Sequence, residues 1–384
     1  MPGEGILTSR MRRRFAVACG ILALAYCSGL RASADTRRAK PQAAVASQTA
    51  MPPSVPVKKM TREVVDEVGR HIIVPNDVRR IVSLAPNLTE IIYALGAQDR
   101  LAGVSAYSDY PPDAKTKPSV GMPMNPSLEA IAGAQPDVVL VTSAINLMST
   151  VNALDQAGIA VYATDPHTVE GTLDSIRHIG DVIGAQAQAE TLVAKLQQQL
   201  DDLKAKLIGV APTRVLFVVW DQPLMSVGDN TFISDALRWA GAVSAVHTSQ
   251  NWPHVSMEEV VRLNPDYLIY ASNEVNTNGS QSPDDIRNAE RDAIAEELVQ
   301  LRGEPGWRDL PAVRDGRVAV ISDEVNLPAP GLIDAIEELA RELHPEVFAP
   351  KQPAAPNASE EHAASRFWVS LCLQSGLGDR SCAR

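Results

Sequence analysis

Two tyrosines, Tyr107 and Tyr110, sit close together in the stretch SAYSDYPPDAK (105–115), with Asp109 between them and Pro111–Pro112 behind. Aromatic rings on a loop stiffened by paired prolines form a wall for a ligand, since rigid rings lose little freedom on contact. The same residues also read as a plain surface turn. Bond-breaking chemistry finds no comparable set. The chain contains no G-x-S-x-G, no H-E-x-x-H and no G-x-x-x-x-G-K-[ST]. Its seven histidines are scattered, without the close spacing a zinc or manganese site needs. Met122 and Met124 offer thioethers that suit an apolar contact, a metal or simple loop packing. The chain reads as a binder, with no enzyme activity and no cofactor.

The elements that position the tyrosines alternate along the chain. RIVSL (80–84) is a β-branched run. NLTEIIYALG follows, with Asn87 and Glu90 in capping-box spacing and Gly96 as a stop. LAGVS, PDVVLVT (136–142) and IAVYAT (159–164) are further strands with helices between them. Such βαβα alternation predicts a parallel sheet with helices on its faces. QAQAETLVAKLQQQLDDLKAKL (186–207) has no Gly or Pro and predicts one helix of about 30 Å. The alternation then resumes with RVLFVVW (214–220), FISDALRWAG (232–241), DYLIYAS (266–272), a helix near 283–301, RVAVIS (317–322) and a helix over 332–343. The fold class is α/β: two Rossmann-like lobes joined by one long helix.

An internal repeat supports two lobes. SLEAIAGAQPDVVLV (127–141) and SMEEVVRLNPDYLIY (256–270) match in register. Each reads as a serine-capped helix, a Pro-Asp turn and a buried strand. Glu129 and Glu258 fall in the first turns, where carboxylates suit the helix dipole.

The 384 residues are 45% hydrophobic and 21% charged, enough for two cored lobes. A net charge of −11 argues against a nucleic-acid partner. RMRRR (10–14) and FAVACGILALAY (15–26) have the form of an export signal too short to span a bilayer. ASA (32–34) is a cleavage site, and Cys27 in LAYC is a lipidation candidate. Cys372 and Cys382 either close a disulfide or are incidental. The expected organisation is a signal peptide over 1–34, a Pro/Ala-rich linker over 35–57, an N-terminal lobe over 58–185, the helix over 186–207 and a C-terminal lobe over 208–348. Residues 349–384 form a linker and a tail of unassigned role.

From about Val64 to Glu346 the chain resembles the class III periplasmic solute-binding proteins of ABC importers. The resemblance rests on RIVSLAPNLTEIIYALG, GVSAYSDYPPDAK, LEAIAGAQPDVVLV, NWPHVSMEEVVRLNPDYLI and PGWRDLPAVRDGRVAVIS. SAYSDYPPDA and NWPHVS look most like the cobalamin binders. The resemblance implies an exported, monomeric protein of the periplasm, tethered by lipid if Cys27 is modified. It implies a corrinoid in a cleft between the lobes. Haem or a ferric siderophore is the alternative ligand, and an exported sensor domain or enzyme a more distant reading. Ligand contacts fall at strand-to-helix passages: Tyr107, Tyr110, Trp252, Asp323 and, more weakly, Trp220. Tyr107 also reads as packing beneath its loop, Trp252 as a plug beside Pro253, and Asp323 as a turn cap. His254, close to Trp252, reads as a ligand-facing or a solvated histidine. Glu129 and Glu258 match the acidic residues that dock such proteins onto permease arginines. Where relatives carry tryptophans and an arginine, this chain has Met, Pro, Ala and Ser near 121–125 and after PDVVLV, and Leu327 and Gly331 near 322–331, so the implied pocket is less aromatic and less basic.

Overall fold

A computed structural model of the protein describes residues 60–272 and 283–349. The signal segment, the linker, Cys27, Cys372, Cys382 and the tail from 350 onward lie outside the described residues. The chain divides into two compact units. One comprises residues up to 166 with 170–194, the other 167–169 with the residues from 195 onward.

The first unit opens with an antiparallel hairpin, β1 (Thr61–Val65) and β2 (His71–Pro75), absent from the sequence reading. Strands β3 (Ile81–Ser83) and β4 (Leu101–Val104) follow. A two-residue pair comes next, β5 (Gly121–Met122) and β6 (Asn125–Pro126), then β7 (Val138–Thr142) and β8 (Val161–Thr164). The main sheet is parallel, in the order β4-β3-β7-β8. Every residue of β3, β7 and β8 is buried. That accounts for continuous apolar runs rather than alternation: a parallel sheet is covered on both faces. Helices α1 (Pro86–Ala94), α2 (Leu128–Gly133) and α3 (Met148–Gln156) connect the strands, and α4 (Val169–Ile183) follows β8. Val82, Leu84, Ile131, Val139, Val151 and Leu154 form one core cluster, each side chain contributing about 1.5–3 kcal/mol by burial.

The capping box expected at Asn87 and Glu90 does not form. Ala85 is the N-cap, without a side-chain bond, and Pro86 takes the first helical position. Proline there presets φ, and the N–H it lacks would have had no partner within the helix. Asn87 and Glu90 are buried within the helix.

Helix α5 (Gln186–Lys206) has 21 residues and passes from the first unit into the second at Ala194–Lys195. Ala189, Val193, Leu196, Leu200 and Leu203 are buried along it at three- and four-residue steps, so one face carries its packing.

The second unit contains β9 (Thr213–Val218), a small hairpin of β10 (Trp220–Asp221) and β11 (Leu224–Met225), α6 (Phe232–Trp239) and β12 (Ala242–Ser244). Then come α7 (Met257–Leu263), β13 (Tyr267–Ser272), α8 (Pro283–Gly303), α9 (Pro311–Arg314), β14 (Val318–Ser322), α10 (Gly331–Leu343) and α11 (Pro345–Phe348). Its sheet is parallel in the order β12-β9-β13-β14. Two details depart from expectation. The run RVLFVVW is not one strand: it ends at Val218, and Trp220 opens the separate hairpin. Strand β12 has no counterpart in the sequence pattern, because three residues at a sheet edge carry too little periodicity.

The repeat is structural as well as sequential. Ser127 and Ser256 accept from the backbone N–H of Ala130 and Glu259 at 3.1 and 3.2 Å. Asp137 accepts from the N–H of Arg80 at 3.0 Å, and Asp266 from that of Arg214 at 3.3 Å. The guanidinium of each arginine in turn donates to the end of its repeat helix, Arg80 to Ala134 O and Arg214 to Leu263 O.

Candidate functional site

In open parallel sheets, ligands bind outside the carboxyl ends of the strands. In the first unit that edge carries the segments after β3, β4, β7 and β8. Tyr107 and Tyr110 follow β4 and are both half-buried. Their loop is pinned from beneath by four buried hydroxyls. Ser105 and Ser108 are 2.9 Å apart, Ser108 and Thr89 2.9 Å, and Thr89 and Ser83 2.8 Å. Ser83 donates to Ala85 O at 3.0 Å. Thr89 also lies 3.4 Å from Ala85 O, so the four hydroxyls and this carbonyl form one buried network in which bonds polarise one another. The Ala106 N–H donates to Gly121 O at 2.8 Å, which draws the β5–β6 turn to the same edge. Met122 on that turn is half-buried, and Met124 is 39% exposed.

Asn146, passed over in the sequence, is also built into this edge. Its Oδ1 accepts from Thr142 N–H at 2.8 Å, and its Nδ2 donates to Leu84 O at 3.0 Å and to Pro123 O at 2.8 Å. The signal was there to read: an asparagine just past a buried strand offers an acceptor and two donors to turning backbone. Ser143 donates to the Asp165 carboxylate, linking the ends of β7 and β8.

In the second unit, Trp252 lies on a loop that runs beside residues 224–229. Val255 N–H donates to Leu224 O, Ser226 N–H to Pro253 O, and Gly228 N–H to Asn251 O, each at 3.0 Å. Gly228 is required there, because a Cβ would fall 1.8 Å from Gln250 O. Met225 bridges to His254 on one side and pairs with Trp220 on the other. One backbone patch thus holds Trp220, the Trp252 loop and the exposed His254 together. Trp252 is 42% exposed. Trp220 is half-buried and donates its Nε1–H to Gln222 O at 2.9 Å.

Asp323 opens a short 3-10 turn at the end of β14. In the sheet order, β13 separates its strand from the β9 end that leads to Trp220. Asp323 thus leaves from a different strand end than Trp220. It is half-buried, and desolvation pushes its carboxyl above the usual range, opposed in part by a backbone N–H. Glu129 and Glu258 are exposed on the first turns of α2 and α7. Among the described residues, no group of three His, Cys, Asp or Glu is placed to hold a metal, and no helix is long and apolar enough to cross a membrane.

The chain is 29% identical over 291 residues to an ABC transporter substrate-binding lipoprotein of Bacillus subtilis, covering 74% of this chain and 85% of that protein. The crystal structure of the periplasmic vitamin B12-binding protein of Vibrio cholerae aligns with a TM-score of 0.58 and 25% identity, over 72% of this chain and all of that one (100%). A periplasmic haem-binding protein of Pseudomonas aeruginosa aligns with a TM-score of 0.57 and the same 25% identity, over 73% and 96% of the two chains. The family model described as periplasmic binding protein matches residues 81–325, and with two parallel α/β units, ring-bearing strand ends and this match, the chain belongs to the periplasmic binding protein family.

Proposed function

We propose that this protein is the extracytoplasmic solute-binding component of an ABC importer, and that its solute is a corrinoid such as cobalamin. The observation that carries the reading is the pair of pinned aromatic rims. Tyr107 and Tyr110 stand over a hydroxyl chain in one unit, and Trp220 and Trp252 over a backbone ladder in the other. Wide, flat, partly apolar rings are the ligands such walls suit, because the contacts are fixed before binding. In this reading the Asp323 carboxyl hydrogen-bonds a ligand amide. Glu129 and Glu258 serve as the carboxylates that orient the loaded protein on its permease. In this reading the protein acts as a monomer, held near the membrane by lipid at Cys27 or released after residue 34.

Haem or a ferric siderophore is the second reading. The equal similarity to a haem binder favours it, as do thioethers where aromatic rings would suit a corrin. Calorimetric titration of the protein with cyanocobalamin, with haemin in parallel, separates the two. The corrinoid reading requires one-to-one binding of cyanocobalamin, weakened tenfold or more in Trp252→Ala. Binding of haemin alone transfers the protein to the second reading, and silence with both removes tetrapyrroles as the solute.

A further inference from the structure

One buried polar side chain at the strand-end edge of the first unit touches no ligand in the reading above. Asn146 is 7% exposed and uses its carbonyl and both amide hydrogens on three separate segments: the end of β7, the passage from β3 to α1, and the β5–β6 turn. Two of these bonds are closures over long stretches of chain, from 146 back to Leu84 and to Pro123. Apolar side chains flank the closure to Pro123. Met124 follows Pro123 and is 39% exposed, while Leu147 and Met148 follow Asn146 and are 47% and 58% exposed. The hydrogen bond from Nδ2 to Pro123 O therefore sets the spacing between two apolar pieces that belong to different loops.

We infer that Asn146 is a positioning residue: it locks the β5–β6 turn and the 143–148 turn into one preformed apolar wall of Met124, Leu147 and Met148, against which the ligand's apolar face packs. The inference rests on the ligand-binding reading above and deepens it. A wall made of two loops would otherwise be ordered at the moment of binding, at the expense of affinity. Buried amides with all three capacities used are costly to disturb, and a carboxylate in the same place would turn a second oxygen toward two carbonyl oxygens.

Hydrogen–deuterium exchange on the full chain tests this together with the cyanocobalamin and haemin titrations, comparing wild type, Asn146→Ala, Asn146→Asp and Leu154→Ala. Leu154 is buried in the same core and makes no polar bond at the edge, so its variant reports general destabilisation. The expected result is exchange at least tenfold faster in 121–127 and 143–148 for both Asn146 variants, with β13 and α10 unchanged. Affinity for whichever titrant wild type binds should fall tenfold or more. Leu154→Ala should lower stability without that local pattern. Wild-type exchange in Asn146→Ala or Asn146→Asp overturns the inference, as does the same local pattern in Leu154→Ala. If wild type binds neither titrant, the ligand reading fails, and the exchange data alone decide whether Asn146 holds the wall.

Discussion

Gln135 and Asn264 stand at matching points of the two repeats and share a left-handed backbone, with φ of 47° and 45°. Each ends its repeat helix, and each precedes the Pro-Asp step that starts the next strand. Left-handed backbone costs a side chain such as glutamine about 1–2 kcal/mol, and asparagine less. Gln135→Asn should therefore raise stability by about 0.5 kcal/mol, and Asn264→Val should lower it by about 1–2 kcal/mol. Denaturant midpoints measure both, and neither change should alter ligand affinity.

Thr89 sits in the middle of the hydroxyl chain beneath the tyrosine loop. Thr89→Val keeps the shape and removes both a donor and an acceptor. Ser108 and Ser83 each lose one hydroxyl partner, about 0.5–1.5 kcal/mol per bond. Amide exchange over 105–110 should accelerate, and ligand binding should weaken about tenfold, the equivalent of 1.4 kcal/mol. Unchanged exchange in that loop would show that the prolines alone hold it.

Asp323 makes stability depend on pH in an unusual sense. Its folded carboxyl binds a proton more tightly than the unfolded value of 3.8. Between that value and the raised one, the folded chain holds more protons than the unfolded chain, so this residue's contribution falls as pH rises through the window. Asp323→Asn removes the effect. The variant should be more stable than wild type at pH 7, with the advantage vanishing below the unfolded pKa. Urea titrations at several pH values check the sign.

The proposed docking role of Glu129 and Glu258 can be separated from binding by experiment. Both are exposed, and neither is among the ring contacts. Replacing both with alanine should leave solute affinity within twofold while uptake by cells falls tenfold or more, as expected when orienting charges are lost. The serine caps should keep α2 and α7 formed. Normal uptake by the double variant would leave the glutamates with only their helix-dipole role.

Much of the fold was legible because buried parallel strands leave unbroken apolar runs. PDVVLV and RVAVIS announced β7 and β14 in that way, and the uninterrupted helix formers announced α5. The serine caps of the repeat were readable for the same local reason. What escaped depends on contacts distant in sequence. The β1–β2 hairpin, β12 and the two-residue pairs are too short to show a period. Asn87 looked like a cap because the spacing to Glu90 is right, but Pro86 had already set the start of the helix. The candidate rings were found as residue types, whereas their supports were not. Asn146 draws its meaning from Leu84 and Pro123, and Gly228 from Gln250, relations that no local window contains.

The β1–β2 hairpin has a mechanical consequence. It is fastened to the body at both ends: at the turn, Glu67 N–H donates to Ala163 O at 3.1 Å and the Glu67 carboxylate accepts from Asp165 N–H at 2.7 Å, and at the entry, Arg62 meets the Asp181 carboxylate at 2.8 Å. A pull on the chain ahead of Met60 meets the Arg62–Asp181 pair first and then the five cross-strand pairs with β2 before it reaches the turn. The hairpin works as a strain relief, as a clamp does on a cable. Tension from a tether would be taken up before it reached β3 and β4, the strands whose ends carry the hydroxyl chain and the tyrosines.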